Sequence, residues 1–156
     1  MEYILLLTAC INPDGMPFTC LADVGVRKKQ YIEALNFYLK NTTRKIVFVE
    51  NSGTDISSSF KDFQHRIEFL CFDGNLCFDK RKGKGYGEAL ILEYAMAKSE
   101  FITDDVLIFK LTGRLQLINI NRLIHYMDKL SPSKNFVCVV PPPVSYTHLT
   151  LPTNRE

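Results

Sequence analysis

The chain lacks an excess of either charge: 19 Lys and Arg stand against 17 Asp and Glu, a formal net charge of +2 over 156 residues. So even a balance gives no reason to expect nucleic acid or an acidic membrane surface as partner. Paired cysteines are lacking too. Cys10, Cys20, Cys71, Cys77 and Cys138 are odd in number and scattered, with no CxxC pair and no histidine at zinc-ligand spacing. That pattern points to reduced thiols in a cytoplasm. At the N-terminus the apolar run Ile4 to Leu7 is too short for a secretory or membrane-spanning segment and has no basic flank before it. No basic amphipathic helix speaks for membrane binding either. Two common phosphate motifs are also missing. Thr8-Ala9-Cys10-Ile11-Asn12-Pro13 stands where a dinucleotide fold would place GxGxxG, and no GxxxxGK[ST] occurs.

What is present is one domain's worth of core, with 46% hydrophobic and 23% charged residues. Continuous apolar runs at Tyr3 to Cys10, Lys45 to Glu50, Ile67 to Phe72, Val106 to Lys110 and Phe136 to Val140 read as strands buried on both faces. Between them, Tyr31, Ala34, Leu35, Tyr38 and Leu39 repeat at helical spacing and predict a helix over Arg27 to Lys40. A short helix is expected from Ser57 to His65, with Ser57 as its cap. Two more are expected over Gly87 to Lys98 and from an Asn121 cap through Leu123, Ile124, Met127 and Leu130. Strands alternating with helices predict an α/β fold with a doubly wound, mostly parallel sheet. Ligands of such sheets sit at the carboxyl ends of the strands. One long irregular stretch, Ile11 to Val26, is either a substrate loop or a surface loop shaped by Pro13, Gly15 and Pro17.

Three loops carry candidate chemistry. After the second strand, Val49-Glu50-Asn51-Ser52-Gly53-Thr54-Asp55 offers a carboxylate and small polar residues to a ribose or base, although a plain Asx turn fits the segment equally. Asp79 to Ala89 interleaves Lys80, Arg81, Lys82 and Lys84 with Gly83, Gly85 and Gly87 and opens into a helix. That combination suits a diphosphate, or a solvated basic loop. After the fourth strand, Lys110-Leu111-Thr112-Gly113-Arg114 places two cations at the sheet edge, where Arg114 would either meet phosphate or form a structural salt bridge. His65 and His125 read as surface or half-buried side chains rather than bases.

Together these segments resemble the GT-A glycosyltransferase fold of nucleotide-diphospho-sugar transferases. VENSGTD is similar to the acidic VDDGSTD segment of its large inverting family, and Gly83 to Ala89 aligns loosely with GxxxARNxG. GKGYGEA with KLTGRL is similar to glycosyltransferases of bacterial surface-polysaccharide clusters. The resemblance covers Met1 to Val140. It implies sugar transfer from a nucleotide-sugar donor to a glycan or lipid-linked acceptor in polysaccharide synthesis, in the cytoplasm or at the inner face of the membrane, where association would be peripheral. It implies that Thr8 and Ala9 line the nucleotide pocket, that Glu50 and Asn51 contact base or ribose, and that Lys84, Gly85, Gly87 and Glu88 lie by the diphosphate.

The family's Asp-x-Asp, which holds Mg or Mn, is replaced by Lys110 to Arg114, and Asp104-Asp105 stand at the wrong end of the strand. Lys110 and Arg114 are therefore expected to stabilise the leaving diphosphate themselves. Two alternatives are a sugar-phosphate nucleotidyltransferase, whose GxGTR-type loop is absent, and a non-catalytic nucleotide-binding or interaction domain. The final residues, Val144 to Glu156, resemble a translated transposon mosaic end and primer site from sequencing libraries. The expected division is thus 1–143, a nucleotide-sugar-binding part incomplete at its C-terminus, and 144–156, a non-native tail.

Overall fold

The structure is a computed structural model and describes residues 2–16, 19–74 and 79–129. Strand β1 (Glu2–Ala9) leads into helix α1 (Val24–Asn41), then β2 (Lys45–Glu50), a 3-10 segment (Ser57–Phe63), β3 (Ile67–Cys71), helix α2 (Gly83–Lys98), β4 (Val106–Thr112) and helix α3 (Ile120–Asp128). The sheet has four strands in the order β3-β2-β1-β4, and every pairing is parallel. Helices cover both faces, as the apolar runs predict. Successive strand residues point to opposite faces, and both sets are buried. Leu5, Leu7, Ile46 and Phe48 pack with Tyr31, Leu35, Tyr38 and Phe60, while Ile4, Leu6, Val47 and Val49 pack with Ile91 and Ala95. Each large side chain so enclosed contributes about 1.5–3 kcal/mol.

Several boundaries differ from the sequence pattern, each for a local reason. Helix α1 begins at Val24 rather than Arg27 because the Asp23 carboxylate accepts a hydrogen bond from Val26 N at 2.8 Å and caps the first turn. Helix α2 begins at Gly83 rather than Gly87, so much of the glycine-lysine run is helix and not loop. Nothing apolar except the exposed Tyr86 marks that first turn, and the stripe becomes readable only at Gly87, Ile91 and Ala95. The segment from Ser57 is 3-10, with Asp55 accepting from Ser57 N at 2.8 Å, so Ser57 is not its cap. Asn121 likewise lies inside α3, where its Nδ2 donates to Asn41 O at 2.7 Å. The expected strand Phe136 to Val140 and the tail from Val144 lie outside the described residues.

The chain moves outward from β1 to β2 to β3, then crosses back to place β4 on the other side of β1. At that crossing point the backbone of Gly113 presses against β1. Its N–H donates to Thr8 O at 2.9 Å, and a Cβ there would stand 2.8 Å from the same oxygen and 3.1 Å from the Tyr31 ring. Gly113→Ala is therefore expected to destabilise the domain by about 1–3 kcal/mol, through overpacking against backbone that cannot yield. Urea unfolding of the two proteins measures the difference, and equal midpoints would contradict this contact.

Candidate functional site

Where consecutive connections leave a parallel sheet in opposite directions, a crevice opens between the two strand ends. Here it opens between β1 and β4, whose ends pair Thr8 with Thr112. The crevice has a cavity volume of about 490 Å³, within the usual range for small-molecule sites. Thr8, Ala9 and Cys10 line it from β1, Thr112 and Arg114 from β4, Lys84, Gly87, Glu88 and Ile91 from α2, Arg27 and Tyr31 from α1, and Asn51 from the end of β2. The stretch after β1 forms a wall with Pro13, Met16 and Leu21. Its turn runs through Asp14 and Gly15, both at positive φ (41° and 69°), and closes with Met16 N donating to Pro13 O at 2.9 Å.

The residues expected from the sequence divide sharply. Thr8, Ala9, Asn51, Lys84, Gly87, Glu88 and Arg114 line the crevice, whereas Glu50, Gly85 and Lys110 do not. Glu50 is 1% exposed and turned inward. Its carboxylate accepts from Ile11 N at 2.8 Å, Ser52 N at 2.9 Å and Thr54 N at 2.9 Å, and from the Ser52 hydroxyl. It thereby ties the loop after β1 to the loop after β2. Lys110 forms an ion pair with Glu88, whose Oε1 also accepts from Thr8 Oγ1 at 3.1 Å, so its charge is already opposed. Arg114 is half-buried, and its Nη1 donates to Gln30 Oε1 at 3.1 Å. That partner is neutral, so the bond is not the salt bridge considered from the sequence and leaves the positive charge in place. Gly85 faces open space.

Two features carry no obvious sequence signal. Arg27 is 6% exposed, and its guanidinium donates to the carbonyls of Cys10, Ile11 (3.1 Å) and Leu21 (3.0 Å). A cation in the first turns of an amphipathic helix ordinarily faces water, so periodicity alone would not single it out. Asn51 Oδ1 is buried with no hydrogen-bond partner among the described residues. Such atoms are uncommon in folded proteins and call for an explanation. Burial pushes the Cys10 thiol up, and the nearby Arg27 pulls against that. Cys71 is pushed up to about 11, by burial first and then by the charge of Glu50.

The segment after β4 does not fit the metal site that the resemblance implies. Thr112, Gly113 and Arg114 offer a hydroxyl, bare backbone and a cation, and among the described residues no cluster of His, Cys, Asp or Glu could hold a metal ion. No helix among the described residues is long and apolar enough to cross a membrane. Comparison with known proteins returns nothing: no family model, no curated protein and no solved structure matches the chain.

Glu50→Gln removes an acceptor charge and turns an amide N–H toward backbone donors. It is expected to cost about 2 kcal/mol in urea unfolding. In the folded variant the Cys71 thiol should also fall below about 11 and react faster with maleimide at pH 8.5. Unchanged stability with unchanged Cys71 reactivity would show that the carboxylate does not sit among these groups.

Proposed function

We propose that the crevice binds the donor of a glycosyl transfer, a nucleotide sugar whose diphosphate lies at the β4 and α2 side. The observation that carries this reading is the position of Arg114, a cation opposed by no carboxylate in its own contact, at the point where the strand order reverses. Arg geometry matches phosphate oxygens, and reversal points are where α/β sheets hold nucleotides. The first turn of α2 adds backbone amides without a side-chain cap, and Lys84 adds charge. The unmatched acceptor of Asn51 suits an N–H of a base or a ribose hydroxyl. The similarity of VENSGTD and GKGYGEA to GT-A glycosyltransferases supplies the reaction class, and a glycan or lipid-linked acceptor of surface-polysaccharide synthesis follows from it. Work at a lipid-linked acceptor would place the protein in the cytoplasm at the inner membrane face.

In this reading Arg114 carries the stabilisation of the departing diphosphate. Its charge acts where negative charge develops, in place of a divalent ion. Lys110 contributes through Glu88, by neutralising a carboxylate that would otherwise repel the phosphates. That ion pair also favours a second reading, a nucleotide-binding domain without turnover, because one of the two cations expected to drive departure is already engaged.

A thermal-shift titration with UDP, GDP and CDP is expected to show stabilisation by one of them of about 2.7 kcal/mol at a hundredfold excess over Kd. No shift with any nucleotide would overturn the donor-site reading. With the matching sugar nucleotide, transfer is expected to persist in excess chelator. Activity lost to chelator and restored by manganese would overturn the role given to Arg114, and binding without transfer would favour the second reading.

A further inference from the structure

Among the charged side chains that line the crevice, Arg27 is the one most fully withdrawn from water. Lys84 is exposed, Lys110 is paired with Glu88, and Arg114 is half-buried. Arg27 is 6% exposed, and apart from the Cys10 thiol the hydrogen-bond acceptors it meets are backbone carbonyls. It forms no ion pair among the described residues. The nearest buried carboxylate in this network, Glu50, is spent on the amide of Ile11 and those of the loop beyond. Carbonyl dipoles solvate a guanidinium but do not cancel its charge, and a cation buried without a counter-ion is costly. A clamp needed only to join the two ends of the loop could be built from neutral donors. The full charge beneath an open cavity asks for an anion.

Geometry supports that demand. Arg27 lines the crevice, and with Leu21 O, Cys10 O and the Cys10 thiol each taking one hydrogen of its two terminal nitrogens, one of their four remains. Arg27 and Arg114, one from α1 and one from beyond β4, both line this one cavity. Two guanidinium groups on one cavity suit the several oxygens of a phosphoryl group better than a single carboxylate.

We propose that Arg27 is the phosphoryl-binding residue of this crevice, receiving the diphosphate of a nucleotide together with Arg114. The inference rests on the reading of the crevice as a nucleotide site but needs only its phosphate portion. Because the same guanidinium holds the carbonyls of Cys10 and Leu21, an anion bound there also firms the loop that carries the exposed Cys20, which lines the crevice.

The test uses inorganic pyrophosphate and UDP, GDP or CDP on the wild-type chain, Arg27→Lys and Arg27→Gln, each first checked for folding by circular dichroism. Pyrophosphate is expected to bind the wild type, to bind Arg27→Gln at least about tenfold more weakly, and to bind Arg27→Lys at an intermediate strength. In the wild type it should also slow maleimide labelling of Cys20. If Arg27→Gln fails to fold, the lysine variant and the Cys20 protection decide the matter. Equal pyrophosphate affinity across the folded variants, or no protection of Cys20, overturns the proposal. Nucleotide binding of equal strength in all three proteins removes Arg27 and leaves the donor-site reading standing. Pyrophosphate binding that depends on Arg27, with nothing added by any nucleoside, keeps Arg27 and removes the nucleotide.

Discussion

Two buried charges of opposite sign hold the same short piece of backbone, and the ligand edge of the sheet is organised around that clasp. Glu50 takes the N–H of Ile11 on one side, while Arg27 takes the carbonyls of Cys10 and Ile11 on the other. Neither charge meets the other directly; the peptide between them carries the interaction through its own dipole. Each would be costly to bury alone. Glu50 offsets its burial with backbone amides from two loops, and hydrogen bonds to a charged acceptor contribute about 1.5–3 kcal/mol each. Arg27 offsets its own with carbonyls from both ends of the stretch after β1. That stretch, irregular and studded with Pro13 and Gly15, could not otherwise be a firm wall, because its described residues offer few apolar anchors beyond the buried Ile11 and Pro13.

This clasp explains why the framework was legible in the sequence while half of the site was not. Strands β1, β2 and β3 follow from apolar runs, because a parallel sheet covered on both faces needs every strand residue to be apolar. The stripe Tyr31, Ala34, Leu35, Tyr38 fixes the inner side of α1 for the same reason. Such patterns are sums over many residues and survive local exceptions. Glu50 and Arg27 are exceptions: single polar residues whose direction is decided by partners distant in the chain. A carboxylate at the end of β2 reads as ready for a ligand, and only the folded loops reveal that Ile11, Ser52 and Thr54 have already claimed it.

Strand parity separates the two cations that looked equivalent after β4. Val106 and Ile108 belong to the face packed against α2, and Lys110 continues that face, so it meets Glu88 of α2. Arg114 lies past the end of the strand, beyond the close approach of Gly113 to Thr8, and turns toward Gln30 of α1. Spacing four residues apart would place two side chains together on a helix but not across the end of a strand. One cation is therefore drawn into a structural pair and the other is kept at the crevice.

The glycines at the start of α2 show the same division of labour within a single segment. Gly83 has a φ of 81°, which few other residues adopt, so the turn from the preceding 3-10 residues into the helix requires it. Gly87 is buried and lines the crevice. Gly85 has neither reason, since a Cβ there would meet nothing within 4 Å. A glycine inside a helix costs about 1 kcal/mol relative to alanine. Folding gives no return for that cost at Gly85, which faces open space and does not line the crevice. Places where a sequence breaks a local rule without structural compensation tend to be functional. Gly85 is such a place, on the turn between Lys84 and Gly87, which do line the crevice.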